Sequence, residues 1–515
     1  MAKEGDMVGG NQHKSSRWRS RASRVAAALL GASLPVAAVA GAQASTSTDN
    51  WAFFDCTPST VVDSYQVPAG IRRLAILAGG GSGATAGGRG GKGALVRAVV
   101  PVKPGETLAV VAGCQAGGRR GGSGIGAGGD GGRGFYNGGG GGGGSAIMRR
   151  EGFVVDPLVV AGGGGGGGGG APLVDPGDGG HGSGANAGNR EKVTADGASG
   201  DKGVQDFFGS FYSNGGGGGG GGFRGGRGGA DSSTIFDGAS GGRGGSSWVT
   251  SAAELGSQIV GGGAPHGSGF VIVVPLTVGQ PRPTLLAFGC RPDRSIYDSF
   301  TVPAGATQMI TVAKGGAGGS DGSNAPGGRG ATVEGVLSAV PGAQYRAKAG
   351  CAGDLVGGAG YGSGGEGGDN DATTHWAAPG GGGSAVLTLN WRALTVAGGG
   401  GGGAGDDDPL SGGGSAGGDG SLAGEPGEGI SGGAGGARDS VHGGDGGDCF
   451  ALDGGTGGGG GAGLRGGRGG RSRCQADDGD GGGGGGGSSL QPGDGRTTTA
   501  VGPRTDGLVV VALTT

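Results

Sequence analysis

The chain is short of nearly everything from which a conventional hydrophobic core is made. Of its 515 residues 33% are hydrophobic and 5% aromatic. Beyond residue 44 no apolar run approaches the roughly 20 residues that a membrane-spanning helix needs, and no stretch shows the 3.6-residue apolar period of an amphipathic helix. Long helices and a spanning anchor are therefore not expected in that region. Proline is scarce, at 21 residues, and glycines abut one another, which excludes the Gly-X-Y repeat of collagen. Histidine is scarcer: His181, His266, His375 and His442 lie beyond residue 44, each isolated in loop-like sequence.

Chemistry-bearing motifs are also thin. Gly238-Ala239-Ser240-Gly241-Gly242 and Gly413-Gly414-Ser415-Ala416-Gly417 fit the hydrolase elbow pattern, but neither follows an apolar strand or precedes a helix. Gly91-Lys92 is followed by Gly93 instead of Ser or Thr, so it is not a phosphate-binding loop. One nonapeptide at 443–451 fits a calcium-binding roll repeat, which needs stacked copies. Asp406, Asp407, Asp408, Asp477, Asp478 and Asp480 read as solvated loop charges. The expectation is no catalytic residue, no cofactor and no metal.

What the chain has is glycine, 153 residues of it. Pro157-Leu158-Val159-Val160-Ala161 runs into nine glycines at 162–170, and Ala393-Leu394-Thr395-Val396-Ala397 runs into six at 398–403. Ordering a backbone costs roughly 1–2 kcal/mol per residue, and glycine loses more freedom than any other residue. Such runs stay mobile unless held. A three-residue-per-turn extended helix of the polyproline II type would hold them, because neighbouring glycine helices can approach closely and satisfy each other's N–H and C=O groups.

The two runs belong to an internal duplication. Asp63-Ser64-Tyr65-Gln66-Val67-Pro68-Ala69-Gly70 returns as Asp298-Ser299-Phe300-Thr301-Val302-Pro303-Ala304-Gly305, each between apolar, strand-like segments. A second hairpin, a glycine run, another strand and the organising stretch follow in both halves. Next comes a long glycine-rich insertion carrying Arg224-Gly225-Gly226-Arg227 or Arg465-Gly466-Gly467-Arg468. Each half closes on one apolar strand, at 270–274 and 508–513, with 275–283 as the linker. The fold expected is all-β: two tandem antiparallel jelly-roll-like sandwiches at 45–278 and 279–515, each with packed polyglycine helices inserted.

Lys14, Arg17, Arg19, Arg21 and Arg24 precede an apolar run at 25–40 and small residues near Ala44, the pattern of a secretory signal peptide at 1–44. Six of the 38 basic and two of the 41 acidic residues fall there, leaving 32 against 39, a balance of −7. That charge argues against nucleic acid as a partner, the Arg-Gly-Gly elements notwithstanding. Six cysteines in an exported chain read as disulfides. The repeat pairs Cys56 with Cys114 and Cys290 with Cys351, leaving Cys449 for Cys474.

The order of these segments resembles the glycine-rich extracellular region of anaplastic lymphoma kinase and leukocyte tyrosine kinase, and exported bacterial glycine-rich proteins. The residues that carry the resemblance are Val67-Pro68-Ala69-Gly70, Gly87-Gly88-Arg89-Gly90-Gly91-Lys92, the run 138–144 with Ser145-Ala146, and Leu158-Val159-Val160-Ala161. It implies a jelly-roll sandwich carrying a bundle of glycine helices, and no ligand-binding residue is carried over. The function expected is a secreted or cell-surface structural protein, non-enzymatic, displaying a contact patch to a protein or glycan ligand for adhesion or matrix assembly. Phe207, Phe208, Phe211 and Tyr212, clustered in a glycine-rich insertion, are the candidate patch. A disordered glycine-rich matrix polymer and a secreted hydrolase are the competing readings.

Overall fold

The computed structural model describes residues 50–515 except 58–61, 152–153, 171–174, 183–195, 203–210, 255–256, 294, 321–324, 354–355, 369–376, 406–417, 422, 424–432, 434–439, 449–455, 473–481, 493–494 and 500–504. The expected signal segment and the expected Cys449–Cys474 bridge lie outside the described residues.

The first half forms β1 (Ala52–Asp55), β2 (Asp63–Gln66), β3 (Arg73–Gly79), β4 (Leu95–Pro101), β5 (Thr107–Val111), β6 (Ser145–Glu151), β7 (Val154–Ala161), β8 (Trp248–Val249), β9 (Gln258–Val260) and β10 (Phe270–Leu276). The second forms β11 (Thr284–Gly289), β12 (Asp298–Thr301), β13 (Gln308–Lys314), β14 (Ala331–Ser338), β15 (Gln344–Lys348), β16 (Ser384–Thr388), β17 (Ala393–Ala397), β18 (Arg496–Thr499) and β19 (Leu508–Thr514). Among the described residues there is no helix. Four sheets result, ordered β1-β10-β3-β4-β9, β2-β5-β6-β7-β8, β11-β19-β13-β14-β18 and β12-β15-β16-β17. The protein is thus all-β, its named strands pairing antiparallel. The short strands β8 and β9 lie in sequence that reads as glycine-rich insertion, and β10 runs through Pro275 and Leu276 into the expected linker.

Side-chain alternation along each strand shows how the sheets stack. On β3, Leu74, Ile76 and Ala78 join Leu108, Ile147 and Leu158 of the other first-half sheet in one core. Phe300, Met309, Val333 and Val386 belong to the equivalent core of the second half. The opposite face of β3, Ala75 and Leu77, packs with Ile272 and Val274 against Ile310, Val312, Val510 and Ala512 of the second half. The two inner sheets therefore lie back to back. A sheet buried on both faces needs apolar residues at successive positions, which is why β3, β10, β13 and β19 read as unbroken apolar runs. Lys314, 4% exposed, reaches across this junction with Nζ 2.5 Å from the Asp55 carboxylate.

One disulfide staples the two sheets of each half, at equivalent points. Cys56, just after β1, bonds to Cys114 beyond β5, and Cys290, just after β11, bonds to Cys351 beyond β15.

Beside the sandwiches the glycine segments are buried and bonded to one another. In the 162–170 run Gly163, Gly166 and Gly169 donate to Gly221, Gly218 and Gly215. Gly164 and Gly167 donate to Gly81 and Ala84, while Gly165 and Gly168 donate to Gly180 and Gly177. The N–H direction thus turns with a period of three residues, as a three-residue-per-turn extended backbone requires. Three further segments donate back: Gly88 and Gly91, Gly139 and Gly142, and Ala239, Gly242 and Gly245. The run has six backbone neighbours. In the second half the 398–403 run repeats the arrangement, donating to Ala462 and Gly459, to Gly316 and Gly319, and to Gly418.

This spacing leaves no room for a side chain. A Cβ at Gly166 would sit 2.0 Å from the Gly139 carbonyl oxygen, and one at Gly163 would sit 2.2 Å from that of Gly142. The obstacle is backbone that is itself bonded on several sides, so it cannot yield as a side chain would. Gly117, in a surface turn, has nothing within 4 Å of its Cβ direction. Gly166→Ala is therefore expected to lower unfolding stability by about 3 kcal/mol or more, the upper end of overpacking costs. Gly117→Ala is expected to stay within roughly 0.5 kcal/mol of the parent. Urea unfolding of the oxidised protein measures both.

Candidate functional site

The end of the first half's glycine array carries a group of exposed aromatic side chains. Its anchor is Asn214, buried, at the start of the 215–222 glycine run. The Asn214 amide Nδ2 donates to the carbonyls of Asp237 (2.7 Å) and Ile235 (3.2 Å), and its Oδ1 accepts from the Tyr136 N–H (3.1 Å). One side chain thus ties three segments together. The Phe135 N–H adds a bond to the Ser213 carbonyl at 2.9 Å. The tied segments present Phe135, Tyr136, Tyr212 and Phe236 to solvent, with Phe236 79% and Tyr212 59% exposed. Phe135 and Tyr136 meet edge to face at 5.1 Å, and Phe211 is half-buried beneath the Lys202 ammonium at 5.6 Å.

Of the four patch residues expected from sequence, Phe211 and Tyr212 lie at this tip, whereas Phe207 and Phe208 lie outside the described residues. Phe135, Tyr136 and Phe236 were missed. They are remote from Tyr212 in sequence, and the bonds of Asn214 and its neighbours bring the segments together. Solitary exposed apolar residues are ordinary; several presented at one rigid tip point to a contact surface.

A second concavity, an open cleft of about 1030 Å³, lies where the two halves meet. Its first-half wall includes Arg89, Lys92, His181 and His266, and its second-half wall includes Arg291 and Asp298. Most of these groups are already engaged. Arg291 pairs with Asp298 at 2.8 Å. The His181 Nδ1 accepts the Lys92 N–H at 3.0 Å, which places the neutral ring's proton on Nε2. Asp178, three residues earlier, accepts the Arg89 N–H at 2.8 Å. His442 and Asp445 do the same for the Ser363 and Glu366 N–H groups of the second half. These acids and imidazoles cap the outermost glycine segments, whose N–H groups find no further glycine. Their own three-residue spacing is the sequence signal of this role. Ser240 of the elbow-like pattern sits in the glycine array, its carbonyl accepting the Gly217 N–H.

The half-buried His266 imidazole has its pKa held below the ordinary value of 6.5, first by desolvation and then by the nearby Lys92 and His181. Comparison with family models and with curated proteins returned no match. No helix among the described residues is long and apolar enough to cross a membrane.

Two outcomes follow from this geometry. Asn214→Ala leaves the Tyr136 N–H and two carbonyls without their partner, so a loss of about 2–3 kcal/mol is expected, with faster amide exchange at 135–136 as the local readout. For His266, a pKa lower in the folded than in the unfolded state means the unfolded chain binds more protons below about pH 6.5. Stability contributed there is present above pH 6.5 and falls as the pH is lowered. The thermal midpoint of the parent should drop more between pH 7.5 and 5 than that of His266→Gln.

Proposed function

We propose that this is an exported, non-enzymatic display module. Two disulfide-stapled sandwich units hold polyglycine II-type helices rigid and present surface groups for adhesion or extracellular matrix assembly. The observation that carries this reading is the aromatic tip: Phe135, Tyr136, Tyr212 and Phe236 are exposed at the end of a cross-bonded glycine array. A glycine-rich chain is a poor way to fill a core, because every residue costs backbone entropy and adds no apolar surface. It is a good way to build a stiff projection whose cross-section is all backbone.

The two disulfides are compatible with an oxidising, extracellular setting. Kinship with the glycine-rich receptor regions and exported bacterial proteins named above forms part of the same proposal.

The test uses beads coated with the purified oxidised protein and measures their retention on immobilised matrix proteins and glycans. Retention by the parent is expected. Its loss is expected in the Phe135→Ser, Tyr136→Ser, Tyr212→Ser, Phe236→Ser variant, with the thermal midpoint unchanged. Turnover of an ester, peptide or glycan panel without retention would sink the reading. So would fast hydrogen exchange throughout 162–170 and 398–403, which would make the glycines spacers.

A further inference from the structure

The outer face of the β12-β15-β16-β17 sheet differs from its first-half counterpart in a way that suggests a ligand. At the β16–β17 hairpin the Trp391 N–H donates to the Thr388 carbonyl, and the Thr388 N–H to that of Arg392, both at 3.0 Å. Leu389 and Asn390 form the turn, and Trp391 occupies the position after it with φ +63°. That position favours glycine, and an aromatic residue there is strained. Trp391 is nevertheless 52% exposed, so burial does not offset the strain. Its ring is fixed in place: the Arg346 guanidinium carbon lies 4.0 Å from the ring centroid, and Tyr297 meets it edge to face at 4.9 Å.

The duplication supplies an internal control. Arg346, five residues before Cys351, corresponds to Ala109, five before Cys114. Tyr297, just before Asp298, corresponds to Val62, just before Asp63. Tyr361 corresponds to Ile125: their N–H groups donate to Gly383 and Gly144, the glycines before the equivalent strands β16 and β6. In the first half Phe223 stacks on Trp248 at 4.9 Å and helps cover an apolar face. Leu464 and Leu490 stand at those places in the second half. Both faces keep an apolar centre, here Ala385, Leu387 and Val396 with Leu490 beside them, while phenols and a guanidinium replace Val62, Ile125 and Ala109 around it.

Among the described residues, Arg346 has no carboxylate partner, and neither the Tyr297 nor the Tyr361 hydroxyl has a hydrogen-bond partner. Lys348 lies beneath, its Nζ 5.5 Å from the Tyr297 ring centroid and bonded to the carbonyls of Asp293 (2.6 Å) and Ile296 (2.8 Å), with the Asp293 and Asp298 carboxylates nearby. We propose that this face binds an acidic sugar. The C–H face of a pyranose ring stacks on Trp391, its carboxylate takes the Arg346 fork, and its hydroxyls meet Tyr297 and Tyr361. An acidic peptide would also answer the charge, but a rigid ring carrying hydroxyls matches the aromatic platform and both phenols. The proposal rests on the display reading and gives it a ligand class.

The test is isothermal titration of the purified oxidised protein with trigalacturonate, trimannuronate and a hyaluronan hexamer, with galactotriose as neutral control and hexaglutamate as acidic peptide. At least one uronate should bind, and the neutral trisaccharide at least about tenfold more weakly, the loss of one charge-assisted bidentate contact. Trp391→Gly should lose at least about tenfold in uronate affinity while its thermal midpoint stays level or rises, since glycine suits the backbone there. Tyr361→Phe, which removes only a hydroxyl, should weaken binding with the fold intact.

Absence of uronate binding, unchanged affinity in all variants, equal binding of galactotriose, or equal binding of hexaglutamate would each overturn the proposal. If uronates fail while parent beads are still retained through the aromatic tip, this site falls and the display reading stands. If neither uronate binding nor bead retention is seen, both fall.

Discussion

The structure depends on a backbone-to-backbone hydrogen-bond array in which no side chain fits. The central run of each half has neighbours on every side, and its N–H groups are shared among three of them by a three-residue rotation. In a sheet a strand bonds to two neighbours and its faces are left to side chains. Here the faces are bonded too, so cohesion comes from N–H···O=C pairs at van der Waals separation instead of from apolar burial. The sandwiches supply what the array lacks. They position its segments, since each central run emerges directly from β7 or β17, and they shed apolar surface into two interior cores and one shared junction.

Much of this was legible in the sequence because the strands are punctuated by residues with one physical meaning. Val67-Pro68-Ala69-Gly70 and Val302-Pro303-Ala304-Gly305 mark turns, and the spacing of Cys56 to Cys114 repeats in Cys290 to Cys351. The back-to-back junction was not legible. Leu77, Ile310 and Val510 look the same in sequence as Ile76, Met309 and Val511, and only the sheet order and strand register separate the face toward the sandwich core from the face toward the other half. An unbroken apolar strand signals burial on both sides, but it does not say against what.

The candidate surfaces were legible in part for a related reason. Tyr212 stands out because it follows other aromatics, whereas Phe135 and Phe236 are single aromatics in glycine-rich sequence until Asn214 gathers their segments. Trp391 is inconspicuous among the residues of a hairpin tip until its backbone angle is known. Comparison of the two halves position by position then shows which features the duplication retained and which it changed.

The side chains that cap the glycine array bear on how large such an object can grow. Each outermost segment still has N–H groups pointing outward, and another glycine segment from any chain would satisfy them. Asp178, His181, His442 and Asp445 occupy that direction with a carboxylate or an imidazole, closing the edge as charged residues close the edge of a sheet. An array bonded backbone to backbone in this way has no intrinsic stopping point in two dimensions. At these positions the rim of the array is thus closed by a few polar side chains spaced three residues apart.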